Sequence, residues 1–113
     1  LASFDATSQP GAVLLTWETV SEIDNLGFNL YRAETEGGPW MQLNQSLIAS
    51  PNPGSAAGSS YQWTDESVTP SVRYWYRLES VDLAGQPETV GEINLVAGGA
   101  TLVPRTFLPL IMK

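Results

Sequence analysis

Alternation between apolar and polar residues is the feature that most constrains what this chain can fold into. It runs through several short segments, of which the clearest are 12–18, 28–32 and 74–78. A period of two places successive side chains on opposite faces of a strand, whereas no stretch of the sequence sustains the spacing of an amphipathic helix. Gly, Pro, Asn and Asp residues that favour turns separate the segments. The sequence therefore predicts an all-β chain.

The spacing of these segments indicates a single sandwich. Short strands roughly 8–12 residues apart, joined by turns, predict a seven-stranded antiparallel β-sandwich. We expect the sandwich to occupy residues 1–97, followed by a C-terminal tail, 98–113, that could add a further strand. The stretch 49–60 is rich in Ser, Pro, Gly and Ala and is interpreted as a flexible surface loop. Gly91 is expected to mark a β-bulge. The predicted core residues are Trp17, Phe28, Leu30, Trp63, Tyr74, Tyr76 and Leu78.

Three of the strand segments, taken in order, resemble a fibronectin type III-like domain. These segments are residues 13–17, 27–32 and 74–82. More narrowly, they are similar to the variety found near the C-terminal ends of large secreted bacterial proteins. The resemblance implies an immunoglobulin/fibronectin III-like sandwich with Trp17 in its core. It also implies a tyrosine corner at Tyr74, with Val68 filling the apolar position upstream, and an extracellular or cell-surface location.

Composition excludes several classes of function. The 113 residues contain no His and no Cys, which removes imidazole bases, thiolate nucleophiles, most zinc sites and any disulfide. Five scattered basic residues against 12 acidic ones give a net charge of -7, which is unsuited to a nucleic-acid partner. No apolar run approaches the ~20 residues of a transmembrane segment. We expect no enzyme and no cofactor, and we expect a processed product because the chain begins at Leu1 without a signal-peptide pattern.

Carboxylates are the one plentiful titratable group, and the loop after the second strand gathers several of them. Oxygen ligands in a flexible loop could hold calcium, and the candidate ligands are Glu18, Glu22, Asp24 and Asn25. Their spacing is not that of an EF-hand, so the favoured interpretation is a solvated loop with side-chain turns and no metal. A glycosidase-like pair of Asp65 or Glu66 with Asp82 would need a concave cleft, for which a small sandwich has little room.

Three aromatic side chains are predicted to lie on the surface. Alternation points Tyr31 and Trp75 away from the core, and Trp40 stands at the start of a short strand. Together they could bind a polysaccharide or another protein subunit. The favoured alternative is that these rings pack on neighbouring strands with cation–π help from Arg32 and Arg77.

The C-terminal tail is apolar from Phe107 to Met112. Leaving such side chains in water would forgo roughly 1.5–3 kcal/mol apiece, so the tail is expected to be buried by something. Three burials are open: an extra edge strand on its own sandwich, a strand added to a neighbouring subunit, or recognition by export or anchoring machinery. The segment resembles the short Leu-Pro-Leu tails of secreted bacterial proteins that bear this kind of domain. The predicted docking residues are Phe107, Leu108, Leu110, Ile111 and Met112.

Together these observations predict a non-catalytic extracellular module of the bacterial surface with a structural or interaction role. Its partners would be other protein subunits, identical copies included, or the cell envelope. Head-to-tail strand addition between copies would give an open filament. The alternative is a carbohydrate-binding accessory or C-terminal sorting domain of a larger secreted hydrolase, in which the surface aromatic residues bind a polysaccharide.

Overall fold

The computed structural model describes residues 1–98, which form eight β-strands and no helix that could cross a membrane. Residues 99–113, and with them the predicted docking residues, lie outside the described part. In chain order the strands are β1 Ser3–Gln9, β2 Ala12–Glu18, β3 Gly27–Ala33, β4 Met41–Gln42, β5 Ile48–Ala49, β6 Ser60–Asp65, β7 Arg73–Val81 and β8 Pro87–Val96.

These strands form two antiparallel sheets that pack face to face. The smaller sheet has the order β1-β2-β6, and the larger has the order β4-β3-β7-β8 with β5 also paired to β3. The prediction of an all-β antiparallel sandwich is confirmed. The predicted number of seven strands is one too low, because β5 has only two residues and so is too short to show alternation.

The core lies between the two sheets and is filled by the inward side chains of β2, β3 and β7. Trp17 is completely buried, and its ring stacks on Tyr61 with 5.4 Å between ring centroids. Phe28 and the same indole form a T-shaped pair with 5.7 Å between ring centroids, which is a favoured aromatic geometry. Trp63 is only partly buried because it lies on an edge strand of the smaller sheet. The other predicted core residues are almost wholly buried: Phe28, Leu30, Tyr74, Tyr76 and Leu78.

Tyr74 ties the turn before β7 to the core. The backbone N–H of Thr69 donates to Tyr74 Oη at 2.8 Å, which is the tyrosine-corner contact that the resemblance implies. Val68 beside it packs against the core, and the Arg32 guanidinium lies over the Tyr74 ring at 5.2 Å. One hydroxyl therefore helps to fix the connection that carries the chain from the smaller sheet to the larger one.

A bulge interrupts the ladder between β7 and β8. Leu78 pairs with Gly91 whereas Glu79 pairs with Thr89, so Val90 is the extra residue. A Cβ on Gly91 would lie 2.9 Å from the ring of Phe4 on β1. Glycine at the predicted bulge therefore also lets β1 approach β8 closely.

Removing the hydroxyl of Tyr74 should destabilise the sandwich without opening a cavity. We expect Tyr74→Phe to lower the free energy of unfolding by about 1 kcal/mol, because the Thr69 N–H loses its acceptor in a partly buried contact. Urea denaturation measures the change. Thr64→Val, which removes an exposed hydroxyl on β6, is the control and should cost about 0.5 kcal/mol or less. Equal losses in both variants would contradict the role given to the corner.

Candidate functional site

The outer face of the larger sheet carries the aromatic side chains that the sequence places on the surface. Tyr31 on β3 lies opposite Arg77 on β7, and Cζ of Arg77 lies 4.3 Å from the centre of the Trp40 ring. Trp75 is two residues before Arg77 and so points to the same face. All three rings are half-buried. The structure thus brings Tyr31, Trp40 and Trp75 to one surface, here named the aromatic face.

Polar contacts hold the aromatic face in place. Tyr31 Oη and Asn29 Nδ2 each donate to Glu79 Oε1 at 3.0 Å. Arg77 donates through Nε and Nη2 to Glu92 Oε2 at 3.1 and 2.9 Å. Burial, followed by the contact with Glu79, raises the pKa of Tyr31 above its ordinary value of 10.0. The aromatic face is therefore an ordered surface in which rings alternate with charged groups.

Arg32, the second cation expected beside these rings, points instead between the sheets towards Asp65. Its Nη1 donates to the two carboxylate oxygens at 2.8 and 3.0 Å, and Tyr76 Oη donates to Oδ2 at 2.9 Å. Burial alone would raise the pKa of Asp65, but the bonds from Arg32, Ser67 and Tyr76 hold it below its usual value. Because both oxygens are engaged in a buried ion pair, Asp65 is unsuited to act as a glycosidase acid.

Glu22 organises the loop after β2, and its side chain is completely buried. Ser50 Oγ donates to Glu22 Oε1 at 2.6 Å and Asn25 Nδ2 donates to the same atom at 2.9 Å. The hydroxyl of Tyr61 also donates to Oε1, and the hydroxyl of Thr19 donates to Oε2. Burial alone would raise the pKa of Glu22, but these side-chain donors hold it below its usual value. Burial and the bond to Glu22 in turn raise the pKa of Tyr61 to about 12.

The four calcium ligands suggested by the sequence do not come together as a set; Asn25 contacts Glu22, but as a hydrogen-bond donor through Nδ2. The carboxylate of Glu22 is occupied by side-chain donors, Glu18 is exposed at the end of β2, and Asp24 Oδ1 accepts the Leu83 N–H at 3.2 Å. Within residues 1–98, no group of three or more His, Cys, Asp or Glu side chains is placed to hold a metal ion. The alternative of a solvated loop is wrong for Glu22 and Asn25, because both are buried. Polar donors compensate the buried charge.

The stretch 49–60 is anchored, in contrast to the flexible loop that its composition suggests. Both the N–H and the C=O of Glu22 bond to the backbone of this stretch, at 2.8 and 2.7 Å. The N–H of Thr19 donates to the C=O of Ser59 at 3.0 Å. A Cβ on Gly58 would lie 1.9 Å from the carbonyl oxygen of Thr19. The two loops are therefore held together by backbone bonds and by an approach that only glycine permits.

Sequence reasoning missed a set of exposed apolar side chains at the same end of the sandwich. Among residues 1–98, four of the seven exposed large hydrophobic side chains belong to the loop 19–26 and to the turn 82–86 between β7 and β8. The signal was present, since three of them recur at intervals of three through a polar loop. We name this set the loop patch, and its members with their exposed fractions are Val20 73%, Ile23 60%, Leu26 36% and Leu83 49%.

Comparison with known proteins supports the fold. No protein-family model matches the chain, and no curated protein matches it. A Fn3-like protein from Clostridium thermocellum superposes with a TM-score of 0.63 at 21% identity, covering 84% of this chain and 88% of the other. A β-1,2-glucanase from Parabacteroides distasonis gives a TM-score of 0.57 at 14% identity over 87% of this chain. The twitchin kinase region from C. elegans gives 0.50 at 20% identity over 88%.

The chain spans only 12% of the glucanase and 16% of the twitchin region. In both, the similar part is therefore a small portion of a larger protein. At these identities the likeness concerns the fold alone, which is a fibronectin type III-like sandwich.

Replacing the Glu22 carboxylate should expose its contribution to acid stability. We expect Glu22→Gln to lower the free energy of unfolding by about 1–3 kcal/mol near neutral pH, because an amide cannot accept all the surrounding donors. Since the folded-state pKa is lowered from 4.5, the stabilisation from Glu22 is present above that pH and is lost as the pH falls through the folded value.

Urea denaturation of both chains between about pH 7 and 3 measures this effect. The difference in the free energy of unfolding between the parent and Glu22→Gln should become smaller below about pH 4.5. Glu18→Gln, at an exposed position on the same strand end, is the matched control. A difference that stays constant across the pH range would contradict the proposed source of the stabilisation.

Proposed function

We propose that this chain is a non-catalytic structural and interaction module of the extracellular bacterial surface. The observation that carries the proposal is the placement of the buried carboxylates and of the exposed aromatic and apolar side chains. The two carboxylates that residues 1–98 bury, Glu22 and Asp65, have their oxygens taken up by internal hydrogen bonds. The ordered surfaces that remain outside, the aromatic face and the loop patch, are suited to contact rather than to proton transfer.

The tail supplies the docking element in this proposal. It follows Ala97, whose N–H donates to Val72 O at 2.9 Å and whose C=O accepts from Ser71 at 2.8 Å. The segment that carries the apolar run 107–112 therefore leaves the sandwich from a fixed point beside Ala97. Its side chains dock by strand addition on another protein subunit or on the cell envelope. In the sharpest form the partner is an identical copy, and the product is a surface filament.

Removing residues 99–113 tests this role. We expect the full chain to associate and the shortened chain to remain monomeric, because the side chains that need burial are absent. Sedimentation velocity over a range of concentrations, with electron microscopy of the same samples, gives the size and shape of the assemblies. Circular dichroism serves as the control for folding, since the eight strands lie within residues 1–98. Equal association by both chains would remove the tail from the function.

Binding to a polysaccharide is the second candidate, and the aromatic face is the observation that favours it. Three half-buried rings on one sheet face can stack on sugar rings, and a similar fold occurs within a β-1,2-glucanase. In this case the chain is a carbohydrate-binding accessory or a sorting domain of a larger secreted hydrolase.

Affinity electrophoresis in gels containing soluble β-1,2-glucan tests the second candidate. We expect the parent to be retarded and Trp75→Ala to lose about tenfold in affinity, the equivalent of one stacking contact of roughly 1.4 kcal/mol. Met41→Ala, at a position 50% exposed on β4, is the control and should migrate like the parent. If Trp75→Ala is retarded as strongly as the parent, the aromatic face is not a sugar site.

A further inference from the structure

The loop 19–26 reverses the usual arrangement of polar and apolar side chains. One of its two carboxylates, Glu22, is 0% exposed and Asn25 is 8% exposed, whereas Val20 and Ile23 are 73% and 60% exposed. A buried charge costs free energy unless donors compensate it, and exposed aliphatic side chains forgo the gain of burial. Single exposed hydrophobic residues are ordinary. A loop that buries a carboxylate and exposes several hydrophobic side chains is unusual.

A second loop completes this apolar end of the sandwich. Leu83, 49% exposed, lies in the turn between β7 and β8, and its N–H donates to Asp24 Oδ1 at 3.2 Å. The N–H of Leu26 donates to Val81 O at 2.8 Å. The turn 82–86 and the loop 19–26 are thus joined, so the loop patch is presented on a fixed frame. Clustered exposed apolar side chains rimmed by polar groups mark interaction sites.

The tail leaves from the opposite end of the same strands. Val81, beside the loop patch, pairs with Pro87, whereas Arg73 at the other end of β7 pairs with Val96. At about 3.4 Å per residue, the eight steps from Val81 to Arg73 place the two ends about 27 Å apart. Fully extended, the chain from Gly98 to Phe107 spans about 30 Å. To bind the loop patch of its own chain, the tail would therefore have to be almost fully extended. Binding the loop patch of a second copy does not require this.

Charge favours the same pairing. Residues 1–98 carry three Arg against twelve carboxylates, a formal charge of −9, whereas residues 99–113 carry Arg105 and Lys113 and no Asp or Glu. Acidic residues lie around the loop patch, among them Asp24 and Asp82 in its own loops and Glu88 at the start of β8. The apolar run of the tail, with a cation on either side, is thus complementary to an apolar patch with carboxylates around it.

We propose that the tail of one copy, through Phe107–Met112, docks on the loop patch of the next copy, with Arg105 and Lys113 facing its acidic rim. The inference rests on the proposed function and names the receptor for the tail, with burial of side chains on two loops in place of strand addition to a sheet edge. The contact joins two different surfaces at opposite ends of the sandwich. It is therefore heterologous, and repetition of it extends a row of copies head to tail.

A mixing experiment tests the pairing directly. The patch variant carries Val20→Ser and Ile23→Ser in the full chain, and the tail variant lacks residues 99–113. Each has one half of the contact, so each alone should be monomeric. An equimolar mixture should form a complex of one copy of each variant. The complex should grow no further, because the contact uses its one tail and its one intact loop patch. Sedimentation velocity distinguishes this complex from monomers and from longer rows.

Met41→Ser in the full chain is the matched control, since Met41 is 50% exposed on the edge strand β4. It should associate as the parent does, whereas the patch variant should stay monomeric at concentrations where the parent associates, a loss of at least about tenfold in affinity. Circular dichroism and urea denaturation of each variant verify the fold. Raising the salt concentration should weaken the complex, because the rim contacts are between exposed charges.

The outcomes separate this inference from the function on which it rests. If deletion of the tail abolishes association but the patch variant associates like the parent, the tail docks elsewhere and this inference is overturned alone. If the tail variant associates as strongly as the parent, both fail. If the full chain is monomeric at every concentration and the mixture forms no complex, a second copy is not the receptor and the inference is overturned.

Discussion

A single buried carboxylate sets the shape of one end of this molecule. Glu22 accepts hydrogen bonds from side chains in its own loop, from Ser50 after β5 and from Tyr61 on β6. Tyr61 also stacks on Trp17 at the centre of the aromatic cluster. Through these contacts the charge connects a surface loop to the core of the sandwich. In the same loop Asn25 is buried with Glu22, whereas Val20 and Ile23 are exposed.

At the other end of the sandwich, an ion pair compensates the buried charge. Arg32 and Asp65 neutralise each other, and Tyr76 and Ser67 complete the bonding of the carboxylate. The guanidinium also covers the Tyr74 ring, which fixes the turn into β7. An ion pair of this kind links β3 of the larger sheet with β6 of the smaller one. Each end of the sandwich is thus held by one polar cluster, and the apolar core lies between them.

The sequence predicts the strands well because alternation is a local signal. Alternation within β2 is enough to predict that Val13, Leu15 and Trp17 share the core-facing side. The same holds within β7 for Tyr74, Tyr76 and Leu78. The same signal places Tyr31 and Trp75 outward, and the structure has them on one face with Trp40. The two-residue strand β5 carries too little pattern to be seen.

The polar clusters could not be predicted in the same way, because their partners are distant in the chain. Ser50 and Tyr61 are 28 and 39 residues from Glu22, and Asp65 is 33 residues from Arg32. In the sequence Glu22 is one of several carboxylates in or beside a loop. Only the fold shows that its side chain is buried, whereas that of Glu18 is exposed. Val20 and Ile23 recur at a regular spacing in the sequence, but only the fold reveals that they are exposed beside a buried Glu22.

The strand register has a mechanical consequence. Ser3 pairs with Glu18 at the end of β2 that leads into the Glu22 loop, whereas Val96 ends β8 at the far end beside Arg73. Leu1 and Gly98 therefore lie at opposite ends of the sandwich, and tension between them runs along the strands. Antiparallel hydrogen bonds lie perpendicular to the strands, so such tension loads the seven residue pairs between β1 and β2 in shear. Bonds loaded in this way share the force instead of opening one after another.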